Sequence, residues 1–192
     1  MGNVSNRAWL DVSNFNEVIT MEKVIFDSDA INRSLKRIAH EILEKNRNIN
    51  ELTLVGIKTR GAFLAERLSN LIKEFEGIEI PIMALDVRGY RDDVKREVPT
   101  GLPDEEMALN EKVVIIVDDV LYTGRTVRAA MEAVLEYGRP KSIGLATLID
   151  RGHRELPIRA DYIGKNIPTS KTESVNVFLT EIDGEDSVII KD

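Results

Sequence analysis

The chain has 192 residues, 43% of them hydrophobic, enough for one domain with a sizeable core. It contains no cysteine and two histidines, which excludes disulfide staples, thiol nucleophiles, iron-sulfur clusters and Cys- or His-rich zinc sites. A net charge of -7 argues against non-specific coating of nucleic acid and leaves room for a local basic patch.

Residues 1–20 are polar with no clear period, and they read as an N-terminal extension expected to be poorly ordered; "ITMEKVIF" restarts the chain at Met21. The start lacks the basic-then-apolar order of a secretion signal and no run is long enough to span a membrane, so a cytoplasmic location is expected. Ile31, Leu35, Ile38, Ile42 and Leu43 recur at helical spacing and predict an amphipathic helix over 28–48, capped by Ser28 or Asp29. "LTLVGI" at 52–57 predicts a buried strand, 61–76 a helix and 78–87 a second strand. The charged, Gly- and Pro-punctuated stretch 88–111 fits neither pattern; a loop of this length inside a domain points to a lid. "KVVIIV" at 112–117 is the most apolar strand, and the helix over 125–138 is closed by Gly138 and Pro140. Further strands follow at 141–150, 160–167 and 174–181. Strands alternating with helices predict an α/β fold, a mainly parallel sheet flanked by helices, because parallel strands need crossover connections.

Two turns carry chemistry. Asp118 and Asp119 follow "VVIIV" at the carboxyl end of a strand, where open α/β sheets bind ligands. "LYTGRT" then opens a helix, and its N–H groups, the Thr123 and Thr126 hydroxyls and permissive Gly124 make a cradle for a phosphate. Acids beside a phosphate cradle are reconciled by a ligand that also bears hydroxyls, such as a sugar phosphate. "GIKTRGA" at 56–62 is a second cradle at a strand-to-helix turn, where Lys58 and Arg60 suit a polyanion. A nucleotide-hydrolase reading lacks a G-x-x-x-x-G-K-[ST] partner, a dinucleotide reading lacks G-x-G-x-x-G, and a receiver-type phosphoacceptor leaves both loops unexplained.

"VVIIVDDVLYTGRT" resembles the phosphoribosyl-pyrophosphate (PRPP) motif of the type I phosphoribosyltransferases. Together with "LKRIAHEILEKN", "LVGIKTRGAFLAERL" and "DRGHRELPIRADYIGKNIPTSK", it is similar to the family of bifunctional pyrimidine operon attenuators and uracil phosphoribosyltransferases, from about Lys23 onward. The resemblance implies one phosphoribosyltransferase domain over 21–192, with a flexible lid and a small hood, that makes UMP and diphosphate from uracil and PRPP with Mg2+ carried by PRPP and no direct protein ligand. It implies that Asp118 and Asp119 hold the ribose hydroxyls and that Thr123, Gly124, Arg125 and Thr126 bind the 5′-phosphate, with Val120, Leu121 and Tyr122 completing the motif. Lys58, Thr59, Arg60 and Gly61 would form the pyrophosphate loop, with a cis peptide expected between Thr59 and Arg60. Ile163 and Lys165 would line the uracil pocket, and Tyr90 and Arg91 would reach the ligand from the lid.

Basic residues cluster in two further places. Lys36, Arg37, His40 and Lys45 share the first helix, and His153, Arg154, Arg159 and Lys165 lie in the "DRGHRELPIR" and "IGK" runs. Alone they read as solvated surface. The resemblance assigns Lys36, Arg37, His40, Lys45, Arg154, Arg159 and Lys165 to a surface for the leader of pyrimidine operon messenger RNA, whose binding UMP or UTP promotes. Arg37→Ala and Arg154→Ala are then expected to weaken RNA binding and spare UMP synthesis. A homodimer able to assemble further is also implied. Two other functions compete: a salvage phosphoribosyltransferase without regulation, using a purine base, and a regulator that keeps PRPP and UMP only as signals.

Overall fold

The computed structural model describes residues 22–90 and 109–192. The extension at 1–20, Arg91 and most of the expected lid lie outside the described residues.

Two short elements precede the main sheet. β1 (Glu22–Phe26) leads into α1 (Ser28–Lys45), whose buried face is Ile31, Leu35, Ile38 and Ile42. Its cap is Asp27, one residue before the expected Ser28 or Asp29: the Asp27 carboxylate accepts the Ala30 N–H at 2.8 Å, which stabilises such a helix by about 1 kcal/mol. The helix ends at Lys45, where Asn46 turns extended, rather than at 48.

β2 (Leu52–Ile57), β3 (Ile82–Leu85), β4 (Val113–Leu121), β5 (Ser142–Asp150) and β6 (Tyr162–Asn166) form a five-stranded sheet in the order β3-β2-β4-β5-β6. Every pairing is parallel. α2 (Arg60–Glu76) and α3 (Arg125–Glu136) supply crossovers. Side-chain alternation along β4 divides the core in two: Ile115 and Val117 pack with α1 and α2, while Val114 and Ile116 pack with α3. The all-buried β2 is what a sheet covered on both faces requires.

The strand expected at 174–181 is shorter, β7 (Ser174–Phe178), and it leaves the main sheet for a three-stranded antiparallel one of order β1-β8-β7. β8 (Ser187–Lys191) is its centre, pairing with β1 from Glu22↔Lys191 onward. A four-residue helix, α4 (Thr180–Asp183), joins β7 to β8. This is the hood.

Candidate active site

β2 stays in register with β4 only as far as Gly56↔Val117, whereas β4 continues beside β5 to Leu121↔Asp150. Asp118 and Asp119 therefore lie inside the strand, on the stretch that β2 has left, rather than after its end. Strict alternation breaks here: Val117 and Val120 both pack on the α1 and α2 side, and Leu121 packs on the α3 side. Asp118 is 8% exposed; burial, and then the adjacent Asp119 charge, push its carboxyl well above the usual carboxylate range. Burial raises Asp119 too, opposed by the Val120 N–H that it accepts at 2.8 Å and by the positive charge of Arg60.

The β2–α2 turn is pressed onto this pair. A Cβ on Gly61 would stand 2.3 Å from the Val117 carbonyl oxygen and 3.2 Å from the Asp118 Cα, so only glycine lets the start of α2 lie against β4. The cis peptide falls between Lys58 and Thr59, one bond earlier than expected between Thr59 and Arg60, because Arg60 already opens α2 and its peptide follows the helix. Lys58 and Thr59 are exposed at the tip, and the Lys58 N–H is held by the Leu85 carbonyl at 2.9 Å. Unlike α1, neither α2 nor α3 has a side-chain cap. Helix starts without such a cap suit an anion.

The second turn, Tyr122 to Thr126, is braced from behind by "DRGHRELPI". Gly124 adopts φ +92 as the N-cap of α3 and packs on Leu156 and Ile158. The Thr123 hydroxyl accepts the Arg125 N–H at 3.3 Å, and its carbonyl accepts from Glu155 and Leu156. Arg125 pairs with Glu155 at 2.8 Å. Arg154 donates to the carbonyls of Leu121 (3.3 Å), Tyr122 (2.7 Å) and Ile158 (3.0 Å) and pairs with Asp150. Its guanidinium is thus spent inside the loop. Arg151 is buried, lies 4.1 Å from the Tyr122 ring centre, and donates to the Ser170 and Glu173 carbonyls, joining the Tyr122 to Thr126 turn to the segment before β7. Sequence reasoning missed both bracing roles; a single arginine after a strand carries no periodic signal.

Arg60 reaches away from the turn to Asp183 of α4, its Nη2 donating to both carboxylate oxygens at 3.0 and 3.1 Å. Tyr90 does not face the site as the lid reading expects. It is buried along α3, its hydroxyl donates to Glu136 at the far end of that helix, and its carbonyl accepts from Arg128. Ile163 and Lys165 sit on β6 beside Thr147 and Ile149.

Two basic residues of α1, Arg37 and Lys45, reach the same strand. Arg37 donates to the Ile163 and Gly164 carbonyls at 2.8 and 2.6 Å and pairs with Glu41. Lys45 donates to the Asp161 carbonyl and lies 4.6 Å over the Tyr162 ring. His40 stacks on Phe75 at 4.2 Å, and Lys36 is exposed. Lys165 and Arg159 are exposed as well, while the His153 ring is tied to the Thr169 carbonyl. Among the described residues no group of three or more His, Asp or Glu could cage a metal. Two adjacent carboxylates suit a magnesium ion brought by ligand oxygens and hydrated in between.

The phosphoribosyl transferase domain family matches residues 23–182. The chain is 54% identical over 173 residues to Bifunctional protein PyrR of Staphylococcus saprophyticus, spanning 88% of this chain and 99% of that one. With the protein of the same name from Clostridium beijerinckii it shares 53% over 175 residues, 90% of this chain and 98% of the other. Among solved structures, a hypoxanthine phosphoribosyltransferase of Trypanosoma cruzi matches with TM-score 0.69 at 20% identity, over 92% of this chain and 94% of that one. A hypoxanthine phosphoribosyltransferase of Staphylococcus aureus matches with TM-score 0.64 at 22% identity, over 87% and 90%. These distant likenesses speak to the fold. With two uncapped helix starts set around a buried aspartate pair, and a family match over most of its length, the chain belongs to the phosphoribosyl transferase family and, within it, to the bifunctional PyrR proteins.

Proposed function

We propose that this protein transfers the 5-phosphoribosyl group of PRPP to N1 of uracil, and that it binds the leader of pyrimidine operon messenger RNA in response to uridine nucleotides. The observation that carries the enzymatic half is Gly61 against Val117 and Asp118, a close approach of the β2–α2 turn to the aspartate pair that supports reading this turn as the pyrophosphate loop. A ribose with an anion at each end fits this spacing: pyrophosphate at the start of α2, 5′-phosphate at the start of α3, and sugar hydroxyls on Asp118 and Asp119.

In the reaction the C1–oxygen bond to pyrophosphate breaks, the leaving group keeps the electron pair, and uracil N1 forms the new bond to C1 as its proton departs. Positive charge grows on the sugar and negative charge on the pyrophosphate. Lys58, Arg60 and the N–H groups at the start of α2 stabilise the leaving group. Asp118 and Asp119 orient the ribose, and such positioning can contribute as much as the chemistry. Magnesium, when bound with PRPP, supplies further neutralisation of the pyrophosphate charge. Ile163 and Lys165 on β6 line the base pocket. A homodimer able to assemble further completes the proposal.

For the RNA half, Lys36, Arg37, His40 and Lys45 of α1, with Arg159 and Lys165, offer cations to phosphates and donors to exposed loop bases. Arg37 bonds the carbonyls of the strand that carries Ile163 and Lys165. A nucleotide seated on β6 can therefore bias α1, which is the linkage that regulation requires.

Initial rates of UMP formation test the enzyme: Asp118→Asn and Asp119→Asn should each lower kcat/KM at least about 100-fold. Near wild-type rates in both would remove the assignment. Electrophoretic shift of a labelled leader RNA tests the regulator, and equal affinity with and without UMP would overturn it.

A further inference from the structure

Arg60 stands between two carboxylates. It opens α2 in the pyrophosphate turn, and its positive charge is felt by Asp119 on one side. On the other side its Nη2 is held by both oxygens of Asp183, at 3.0 and 3.1 Å. Its Nε is buried and has no hydrogen-bond partner among the described residues.

Asp183 is mounted rigidly. Its Oδ2 also accepts the Leu179 N–H at 2.9 Å, which fixes the carboxylate to α4. α4 is in turn clamped to α2 by Arg67, which donates to Glu181 at 2.6 and 2.8 Å and to Asp186 at 2.7 Å. Arg67 lies seven residues beyond Arg60, two turns along the same helix face. Asp186 itself accepts the Thr180 N–H and hydroxyl at 2.8 and 2.9 Å. The hood thus meets α2 through two arginines. The second is held by two carboxylates and the first by one.

The geometry points to Asp183 as a positioning residue that acts through Arg60, holding the guanidinium by Nη2 so that its positive charge stays at the pyrophosphate turn and does not collapse onto Asp119. Such a collapse would block the ribose carboxylate and withdraw a cation from the leaving group at once. Asp183 touches no reacting atom in this scheme. The assignment rests on the phosphoribosyl-transfer reading and adds to it a hood residue that the PRPP motif does not contain.

The test is a double-mutant cycle on the full chain with Asp183→Asn, Arg60→Gln and the pair, plus Asp183→Glu as the conservative variant. Two quantities are read: KM for PRPP and for uracil, and calorimetric affinity for magnesium pyrophosphate, which needs no turnover. Asp183→Asn is expected to raise the KM for PRPP and weaken pyrophosphate about tenfold, leaving the KM for uracil within about twofold. The double variant should be no worse than Arg60→Gln, since both changes remove one unit. Asp183→Glu should recover part of the lost affinity. Wild-type pyrophosphate affinity in Asp183→Asn, losses that multiply in the double variant, no recovery in Asp183→Glu, or an equal rise in both KM values would each overturn the assignment. If the unmodified protein neither forms UMP nor binds magnesium pyrophosphate, the reading of the whole site fails; if it does both while Asp183→Asn matches it, only the role of Asp183 fails.

Discussion

Replacing Gly61 by alanine adds a single methyl group at the point where the β2–α2 turn meets β4 beside the aspartate pair. That methyl would lie 2.3 Å from the Val117 carbonyl oxygen and 3.2 Å from the Asp118 Cα, both backbone positions with no rotamer to yield. Ordinary contact begins at 3.4 Å, so the start of α2 must retreat from β4 by about 1 Å. The overpacking should destabilise the fold by about 1–3 kcal/mol. The displacement carries the pyrophosphate turn away from Asp118 and Asp119, and a misplacement of about 1 Å costs on the order of 100-fold in rate, or about 2.7 kcal/mol of transition-state stabilisation. Initial rates of UMP formation over a grid of PRPP concentrations give kcat/KM, and urea unfolding gives the stability of the same sample. Gly77→Ala is the control: at φ +70 with open space around its Cβ, it should cost about 1 kcal/mol of stability and leave kcat/KM unchanged. A Gly61→Ala enzyme within about threefold of wild type would refute the claim that this contact sets the approach of the β2–α2 turn to the aspartate pair.

Three further outcomes follow from the same geometry. Burial raises the folded-state pKa of Asp118 above its unfolded value, so the folded protein keeps that proton longer and loses stability as pH climbs from the ordinary carboxylate range through the raised value. Asp118→Asn should therefore raise the urea midpoint at pH 8, with the gain shrinking toward pH 4, while activity is lost; a lower midpoint at pH 8 would contradict this. Arg154→Ala removes donors from the Leu121 and Tyr122 carbonyls and leaves Asp150 unpaired, so UMP synthesis should fall about tenfold along with RNA binding, in contrast to the sparing expected from sequence alone. Arg37→Ala should weaken RNA only, and parallel assays of both activities separate the two. Arg67 holds the Asp186 carboxyl down to about 2, so its stabilisation is present above the unfolded value of 3.8 and lost as pH falls through about 2. Arg67→Ala should cost about 3 kcal/mol at pH 7 and flatten that acid limb, as read by urea unfolding across pH.

Local chemistry made much of the sheet legible. "LTLVGI" forms β2 at the expected residues, and the starts of α2 and α3 fall within a residue of expectation, because buried parallel strands are continuous apolar runs and Gly-rich turns announce their helices. The end of β4 was not legible. Asp118 and Asp119 read as post-strand residues, yet pairing with β5 carries the strand through them, and that pairing is a property of the partner. The hood was hidden for a related reason: β1 and β8 are five residues long, β1 is half-exposed, and Glu22 meets Lys191 across nearly the whole chain, so no local window contains the pair. Arginines were the other blind spot. Arg154 sits in a basic run that looks solvated, and only the fold shows its donors turned toward carbonyls. Tyr90, beside the expected lid, is withdrawn along α3 by Glu136 and Arg128.

The antiparallel sheet joins the first described strand to the last, and that has a consequence during synthesis. Chains emerge from the ribosome N-terminus first, so β1 must wait, unpaired, until Ser187–Lys191 clears the exit tunnel. The five parallel strands can assemble before that moment, but Asp183 and the clamp on Arg67 cannot. A nascent polypeptide that has not yet delivered β8 would carry the turns at the starts of α2 and α3 without the carboxylate mount on Arg60.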